Sequence, residues 1–140
     1  MSRSEMAAGR FLGGFNCAAA VITEFCEDYD LDTELAAKLA CGMGAGFCDG
    51  DICGAVSAAV MVVGLMHGQS SQDDQAAKIN CRAKTVEFLD AFKRKHGVVA
   101  CRDLLAGFPD DDSEEAVQER RRFCAGLVDS AVEILEELGY

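Results

Sequence analysis

A single apolar run dominates this chain: residues 52–66 read Ile-Cys-Gly-Ala-Val-Ser-Ala-Ala-Val-Met-Val-Val-Gly-Leu-Met. These 15 residues leave no polar face, which is typical of a helix that is buried on all sides. The run is shorter than the roughly 20 apolar residues that a membrane-spanning helix needs. We therefore predict a central helix that the other helices surround.

A glycine-rich loop leads into this helix. Glycine stands at positions 42, 44, 46 and 50, and Asp51 is the expected N-cap. Cys53 then falls on the first turn, where the positive end of the helix dipole and the free backbone N–H groups favour the thiolate. Because the thiolate is the form that attacks disulfides and binds metals, Cys53 is the first candidate for chemistry.

Signals for helices recur along the chain, whereas signals for strands do not. Asn16 and Asp32 are expected N-caps, and Gly97 is an expected stop. Helices are predicted over residues 17–29, 32–42, 75–96, 100–105 and 113–138, the last with a capping box of Asp112 and Glu115. The residues expected to face the core from the long helix are Ile79, Ala83, Val86, Leu89 and Phe92. With no linker or internal repeat, residues 1–140 are predicted to form a single all-α domain, a bundle of about five to seven helices around the central one.

Composition restricts the partners and the compartment. The net charge of -11 opposes binding to nucleic acid, and the basic run 120–122 is outweighed by the acidic residues just before it. The first residues have no apolar segment of the secretory type, so we expect a cytoplasmic protein that does not span a membrane. In a reducing compartment, a protein with eight cysteines is expected to use them for metal binding or redox chemistry rather than as a disulfide framework.

The cysteines fall into groups by position. Cys17 directly follows the cap Asn16, and Cys101 begins the predicted short helix, so both share the first-turn bias of Cys53. Cys124 lies inside the last helix, where position alone leaves function and packing equally open. The cysteines expected in the core are Cys26, Cys41 and Cys81. Cys48, five residues before Cys53, is placed to share a metal or to act as a resolving thiol.

Four segments of the chain resemble one known family. They are Asn16-Cys17-Ala18, residues 53–58 with residues 61–65, residues 101–105, and Cys124 with the apolar residues behind it. The pattern is similar to that of the redox-active proteins named for Cys, Cys-Gly-Ala-x-x-Gly, Cys and Cys (C_GCAxxG_C_C). The four cysteines of that family map onto Cys17, Cys53, Cys101 and Cys124, and its closing glycine is Ala58 here.

The resemblance implies a redox role, and a related domain in split-Soret cytochromes carries an iron–sulfur cluster. We therefore expect Cys17, Cys53, Cys101 and Cys124 to form one site that binds an iron–sulfur cluster for electron transfer or, alternatively, a zinc ion. A metal-free alternative uses the same residues for thiol–disulfide exchange, with Cys53 attacking and Cys17 resolving. Partners would then be redox proteins. In a third alternative the protein is a non-catalytic helical adaptor bound to a membrane transporter or an enzyme subunit.

Overall fold

The computed structural model describes all 140 residues and contains seven α-helices and no β-strand. The helices are α1 (Arg3–Leu12), α2 (Cys17–Phe25), α3 (Thr33–Ala40), α4 (Gly54–His67), α5 (Gln75–His96), α6 (Cys101–Leu104) and α7 (Glu114–Glu137). The predicted all-α class is confirmed. None of these helices combines the length and the apolar character that crossing a membrane requires.

The central position predicted for α4 is confirmed by its packing. This helix contacts α2, α5 and α7, and most of its side chains from Ala55 to Val63 are completely buried. Helix α1 packs across α7 and α2. The buried residues form one contiguous core of 27 side chains, which come from six of the seven helices and from Cys26 and Cys53 at helix ends. The residues around the N-termini of α2, α4 and α6 meet at one side of this core, next to α1 and α7.

Local capping explains where the helices begin. The Asn16 side chain accepts the N–H of Ala19 at 2.8 Å, and the Asp32 carboxylate accepts the N–H of Leu35 at 2.9 Å, as predicted. Gly97 ends α5 with a φ of 82°, which only glycine adopts readily. Helix α1 was not predicted, although Ser2 and Glu5 form a complete capping box ahead of it.

Two predicted caps are wrong by one or two residues. Helix α4 is capped at Cys53 rather than Asp51, because the residues around Asp51 pair with another segment instead of joining the helix. Helix α7 is capped by Ser113 rather than Asp112, since the Ser113 hydroxyl accepts the N–H of Ala116 at 3.3 Å. Both differences lie within one helical turn, but the first moves Cys53 from the first turn to the cap position.

The apolar stripe predicted for α5 does not face the core throughout. Phe88 and Phe92 are completely buried, but Ile79 is 68% and Val86 54% exposed. The helix lies on the outside of the bundle and turns the face centred on the two phenylalanines toward α4 and α7. Spacing alone did not distinguish this face from the neighbouring one that carries Ile79.

Candidate functional site

Four cysteines from distant parts of the chain line one cavity of about 240 Å³. They are Cys17 at the start of α2, Cys53 just before α4, Cys101 at the start of α6 and Cys124 in the middle of α7. The rest of the lining is mainly apolar and includes Phe11, Leu104, Leu105, Val117 and Leu127. The four thiols therefore share one largely apolar cavity.

The Asn16 side chain fixes the position of Cys17. Besides capping α2 with its oxygen, it donates its amide N–H groups to the carbonyl oxygens of Ala40 at 3.2 Å and Cys41 at 2.8 Å. One side chain therefore joins the start of α2 to the end of α3. Cys17 is held at the corner where these two helices meet.

Backbone pairing places Cys53 beside Cys101. The N–H of Cys53 donates to the carbonyl of Val99 at 2.8 Å, and the N–H of Cys101 donates to the carbonyl of Asp51 at 2.6 Å. Ile52 and Ala100 form an isolated antiparallel bridge between the same two segments. The two segments that carry these cysteines, far apart in the sequence, are thus joined by main-chain hydrogen bonds.

Gly54 makes room for the sulfur of Cys17. A Cβ atom at position 54 would lie 2.5 Å from Cys17 Sγ and 3.0 Å from the carbonyl oxygen of Met43. Real Cβ atoms essentially never approach another heavy atom this closely. The glycine directly after Cys53 is therefore a steric requirement for bringing Cys17 against the start of α4.

Cys17 is the acidic member of the pair that it forms with Cys53. The hydrogen bond from the Cys53 thiol and the backbone N–H groups of Ala45, Cys17 and Ala18 lower the pKa of Cys17 to about 6, although burial opposes the shift. The pKa of Cys53 is raised, because its proton is held by the Cys17 sulfur and because the side chain is buried. This differs from the expectation that Cys53 is the more acidic thiol: the hydrogen bond between the two thiols lowers the pKa of Cys17 and raises that of Cys53.

The other two thiols of the cavity hold their protons. Burial, together with the negative charge on Cys17, raises the pKa of Cys101. Burial and the charges of Cys17 and Cys101 raise the pKa of Cys124 to about 11, with Arg121 and Arg120 opposing the rise. In the absence of a metal the four thiols thus carry one negative charge at neutral pH, centred on Cys17.

Two arginines of α7 supply positive charge to the cavity lining. Arg121 lies over the ring of Phe11 and donates to the carbonyl oxygens of Phe11 at 3.2 Å and Leu12 at 3.3 Å. Arg120 donates to the carbonyl oxygens of Pro109 at 2.8 Å and Asp111 at 2.9 Å. Because these bonds fix both guanidinium groups, the positive charge stays near the thiols in an otherwise acidic protein.

The loop before Cys53 has an unusual backbone. Ala45, Gly46, Phe47 and Cys48 are consecutive residues with φ between 54° and 62°, which is the left-handed region. For residues other than glycine this conformation costs roughly 1 to 2 kcal/mol each. The turn presents the N–H of Ala45 to Cys17, so local strain is coupled to a contact with the site.

The remaining four cysteines lie outside the cavity. Cys26 is buried and donates to the carbonyl of Ile22 at 3.4 Å, as expected of a core residue, and Cys81 is half-buried. Cys41 is exposed, so its predicted core position is wrong: α3 ends at Ala40, and Cys41 begins a turn. Cys48 is also exposed and is not part of the cavity lining.

No three His, Cys, Asp or Glu side chains stand close enough together to hold one metal ion as they are arranged. The assignment of Cys17, Cys53, Cys101 and Cys124 as metal or cluster ligands stays a prediction. Sequence reasoning did not find Ala45, Arg120 or Arg121 as parts of the cavity lining. The arginines were visible only as a basic run, and nothing in the sequence marks Ala45 as a donor to Cys17.

Comparison with known families places the chain in one family. The family model described as "Putative redox-active protein (C_GCAxxG_C_C)" matches residues 15–138, which include all four cysteines of the cavity. The chain therefore belongs to the C_GCAxxG_C_C family of redox-active proteins. No curated protein and no solved structure matches the chain. The family name ends its central motif with glycine, whereas this chain has Ala58, whose methyl group is completely buried.

Proposed function

We propose that this protein is an electron carrier in which Cys17, Cys53, Cys101 and Cys124 bind an iron–sulfur cluster. The observation that carries the proposal is that these four thiols, supplied by four separate segments, line one cavity. Soft thiolate ligands in sets of four are the usual protein ligands of such clusters. When bound, a cluster supplies one-electron transfer at a potential that the surrounding protein tunes.

The size of the cavity favours a cluster over a single zinc ion. The four thiols line a cavity of about 240 Å³, and no three of them stand close enough together to hold one ion as they are arranged. A zinc ion needs four ligands at about 2.0 to 2.3 Å from a common centre, so the walls would have to collapse around it. A group of several atoms needs less rearrangement.

The surroundings of the thiols suit a negatively charged group. Backbone N–H groups at the starts of α2 and α4 point at Cys17 and Cys53, and Arg120 and Arg121 lie in the same lining. Hydrogen bonds to the sulfurs and nearby positive charge stabilise a reduced cluster and so raise its potential. The apolar side chains of Phe11, Leu104 and Leu105 limit the access of water.

The test is anaerobic purification followed by an absorption spectrum and analysis of iron and acid-labile sulfide. We expect coloured protein with iron and sulfide. Serine substitutions at positions 17, 53, 101 and 124 should each reduce the iron content at least tenfold, because each removes one ligand. Cys81→Ser is the matched control and should retain wild-type iron. Protein with zinc and no sulfide, or equal losses in the control, would contradict the proposal.

Thiol–disulfide exchange is the second candidate, and the pairing of Cys17 with Cys53 favours it. With a pKa of about 6, Cys17 is a thiolate at neutral pH and is suited to attack a protein disulfide. The Cys17 thiolate would form a mixed disulfide with one partner sulfur and release the other as a thiolate. Cys53, after losing its proton, would then attack the Cys17 sulfur and release the second partner thiolate. This forms a Cys17–Cys53 disulfide, with the roles of the two cysteines reversed from the sequence-based expectation.

The acidity of Cys17 makes a pH-dependent prediction for metal-free, reduced protein. The rate at which iodoacetamide alkylates Cys17 should be constant above about pH 7 and should fall as the pH drops through about 6, because the thiolate becomes protonated. In Cys53→Ala the midpoint should move toward the ordinary value of about 8.5, which lowers the rate at pH 6.5 roughly tenfold or more. A wild-type midpoint near 8.5, measured by peptide mass spectrometry, would rule out an activated Cys17.

A further inference from the structure

A second pair of cysteines lies outside the cavity, in the loop between α3 and α4. Cys41 and Cys48 are both exposed, and the turns that carry them, Cys41–Met43 and Gly46–Gly50, contact each other. The Cys48 thiol points at the carbonyl oxygen of Gly42, with a sulfur–oxygen distance of 3.8 Å. Since Gly42 directly follows Cys41, the sulfur of Cys48 lies next to the backbone of the other cysteine.

The left-handed backbone creates this arrangement. The positive φ angles from Ala45 to Cys48 reverse the chain, so that Cys48 returns to the end of α3. Non-glycine residues rarely adopt such angles, and strain of this kind is concentrated at functional positions. The side chain of Phe47 at the tip is 49% exposed, so packing of that side chain does not account for the strained turn.

We propose that Cys41 and Cys48 form a second redox site, a surface dithiol that exchanges with small disulfides of the glutathione type and closes into a disulfide bridge. The first thiolate attacks one sulfur of the small disulfide and releases one small thiolate. The second cysteine gives its proton to solvent, attacks the mixed disulfide and releases the other small thiolate. Two protein thiols are thereby oxidised by two electrons, and one small disulfide is reduced to two thiols.

The position of this dithiol connects it to the buried cysteines. The carbonyl of Cys41 accepts from Asn16, and Ala45, which lies between the two cysteines in sequence, belongs to the same cavity lining as Cys17. A bridge between Cys41 and Cys48 would enclose Ala45 in a closed ring of backbone. Oxidation at the surface would then restrain a segment that lines the cavity.

The test uses full-length protein purified anaerobically and incubated with oxidised glutathione. Free thiols are blocked with N-ethylmaleimide, and the protein is cleaved on the N-terminal side of aspartate. Residues 32–48 form one peptide that contains only Cys41 and Cys48, whereas Cys53 falls on a separate peptide that begins at Asp51. We expect most of the 32–48 peptide to carry no blocking group and to be lighter than the reduced peptide by two hydrogen atoms.

Substitutions identify the pair. In Cys41→Ser or Cys48→Ser the remaining thiol should be recovered as a mixed disulfide with glutathione, because its resolving partner is absent. Cys81→Ser, the matched control, and Cys17→Ser should both form the bridge as the wild type does, so failure of the cavity proposal and failure of this one are distinguishable. Two blocking groups or two glutathione adducts on the wild-type peptide would overturn the proposal. A crosslink from this peptide to the one containing Cys53 would overturn it as well.

Discussion

In Gly54→Ala the sulfur of Cys17 should be displaced from its position beside the start of α4. The iron content of the protein, or the acid dissociation constant of Cys17 in metal-free protein, should therefore fall at least tenfold. The new methyl group would stand 2.5 Å from Cys17 Sγ, and rotation of the cysteine side chain is the least costly way to relieve the contact. The backbone atoms on the other sides, the carbonyl of Met43 at 3.0 Å and the N–H of Ala18 at 3.2 Å, yield less readily. Iron and sulfide analysis and the pH profile of Cys17 alkylation measure the effect.

Stability should change much less than the site does in this variant. Alanine is favoured over glycine in a helix by about 1 kcal/mol, which offsets part of the roughly 1 to 3 kcal/mol of overpacking. Gly64→Ala is the matched control in the same helix, because a Cβ there meets nothing within 4 Å. The control should be equally or more stable than the wild type and should keep its site. Identical behaviour of the two variants would show that Gly54 has no steric role.

Asn16→Ala should lower the free energy of unfolding by about 2 to 4 kcal/mol. The substitution removes the N-cap of α2, which costs about 1 kcal/mol, and two hydrogen bonds to the carbonyl oxygens of Ala40 and Cys41, at about 1 kcal/mol each. Urea denaturation of metal-free protein is the measurement. Loss of the link to α3 should also loosen the loop that carries Ala45 and raise the pKa of Cys17.

Asn16→Ser separates the two roles of this residue. Serine caps helices about as well as asparagine but cannot reach the two carbonyl groups, so it should lose only the part of the stability that depends on them. The destabilisation should then be roughly half to two-thirds of that in Asn16→Ala. Equal stability losses in the two variants would mean that the N-cap does not contribute to stability. No loss in Asn16→Ser would mean that the hydrogen bonds to the two carbonyl groups do not contribute.

The parts of the fold that follow from local chemistry were predictable from the sequence. The caps Asn16 and Asp32, the stop at Gly97 and the mostly apolar α4 depend on neighbouring residues, so spacing and residue type were enough. The face of α5 was not predictable, because the burial of Phe88 over Ile79 depends on where α4 and α7 lie. The face of a helix that tertiary packing buries cannot be predicted from the sequence of that helix alone.

The candidate site divides in the same way. Position relative to a helix start pointed to Cys17, Cys53 and Cys101, whereas Cys124 stood out only through the family pattern, since nothing local distinguishes it from a core cysteine. The lower pKa of Cys17 relative to Cys53 was not foreseeable from the sequence. It depends first on the hydrogen bond between the two thiols, which tertiary packing brings together from distant parts of the chain.

The cavity is bounded by both ends of the chain, since α1 supplies Phe11 and α7 supplies Cys124. During synthesis from the N-terminus, Cys17 and Cys53 emerge long before the helix that completes their enclosure. The four thiols therefore line the cavity together only after α7 has emerged and packed against the other helices. Acquisition of a cofactor would then mark the completion of folding, and a chain that stalls before α7 would be left without one.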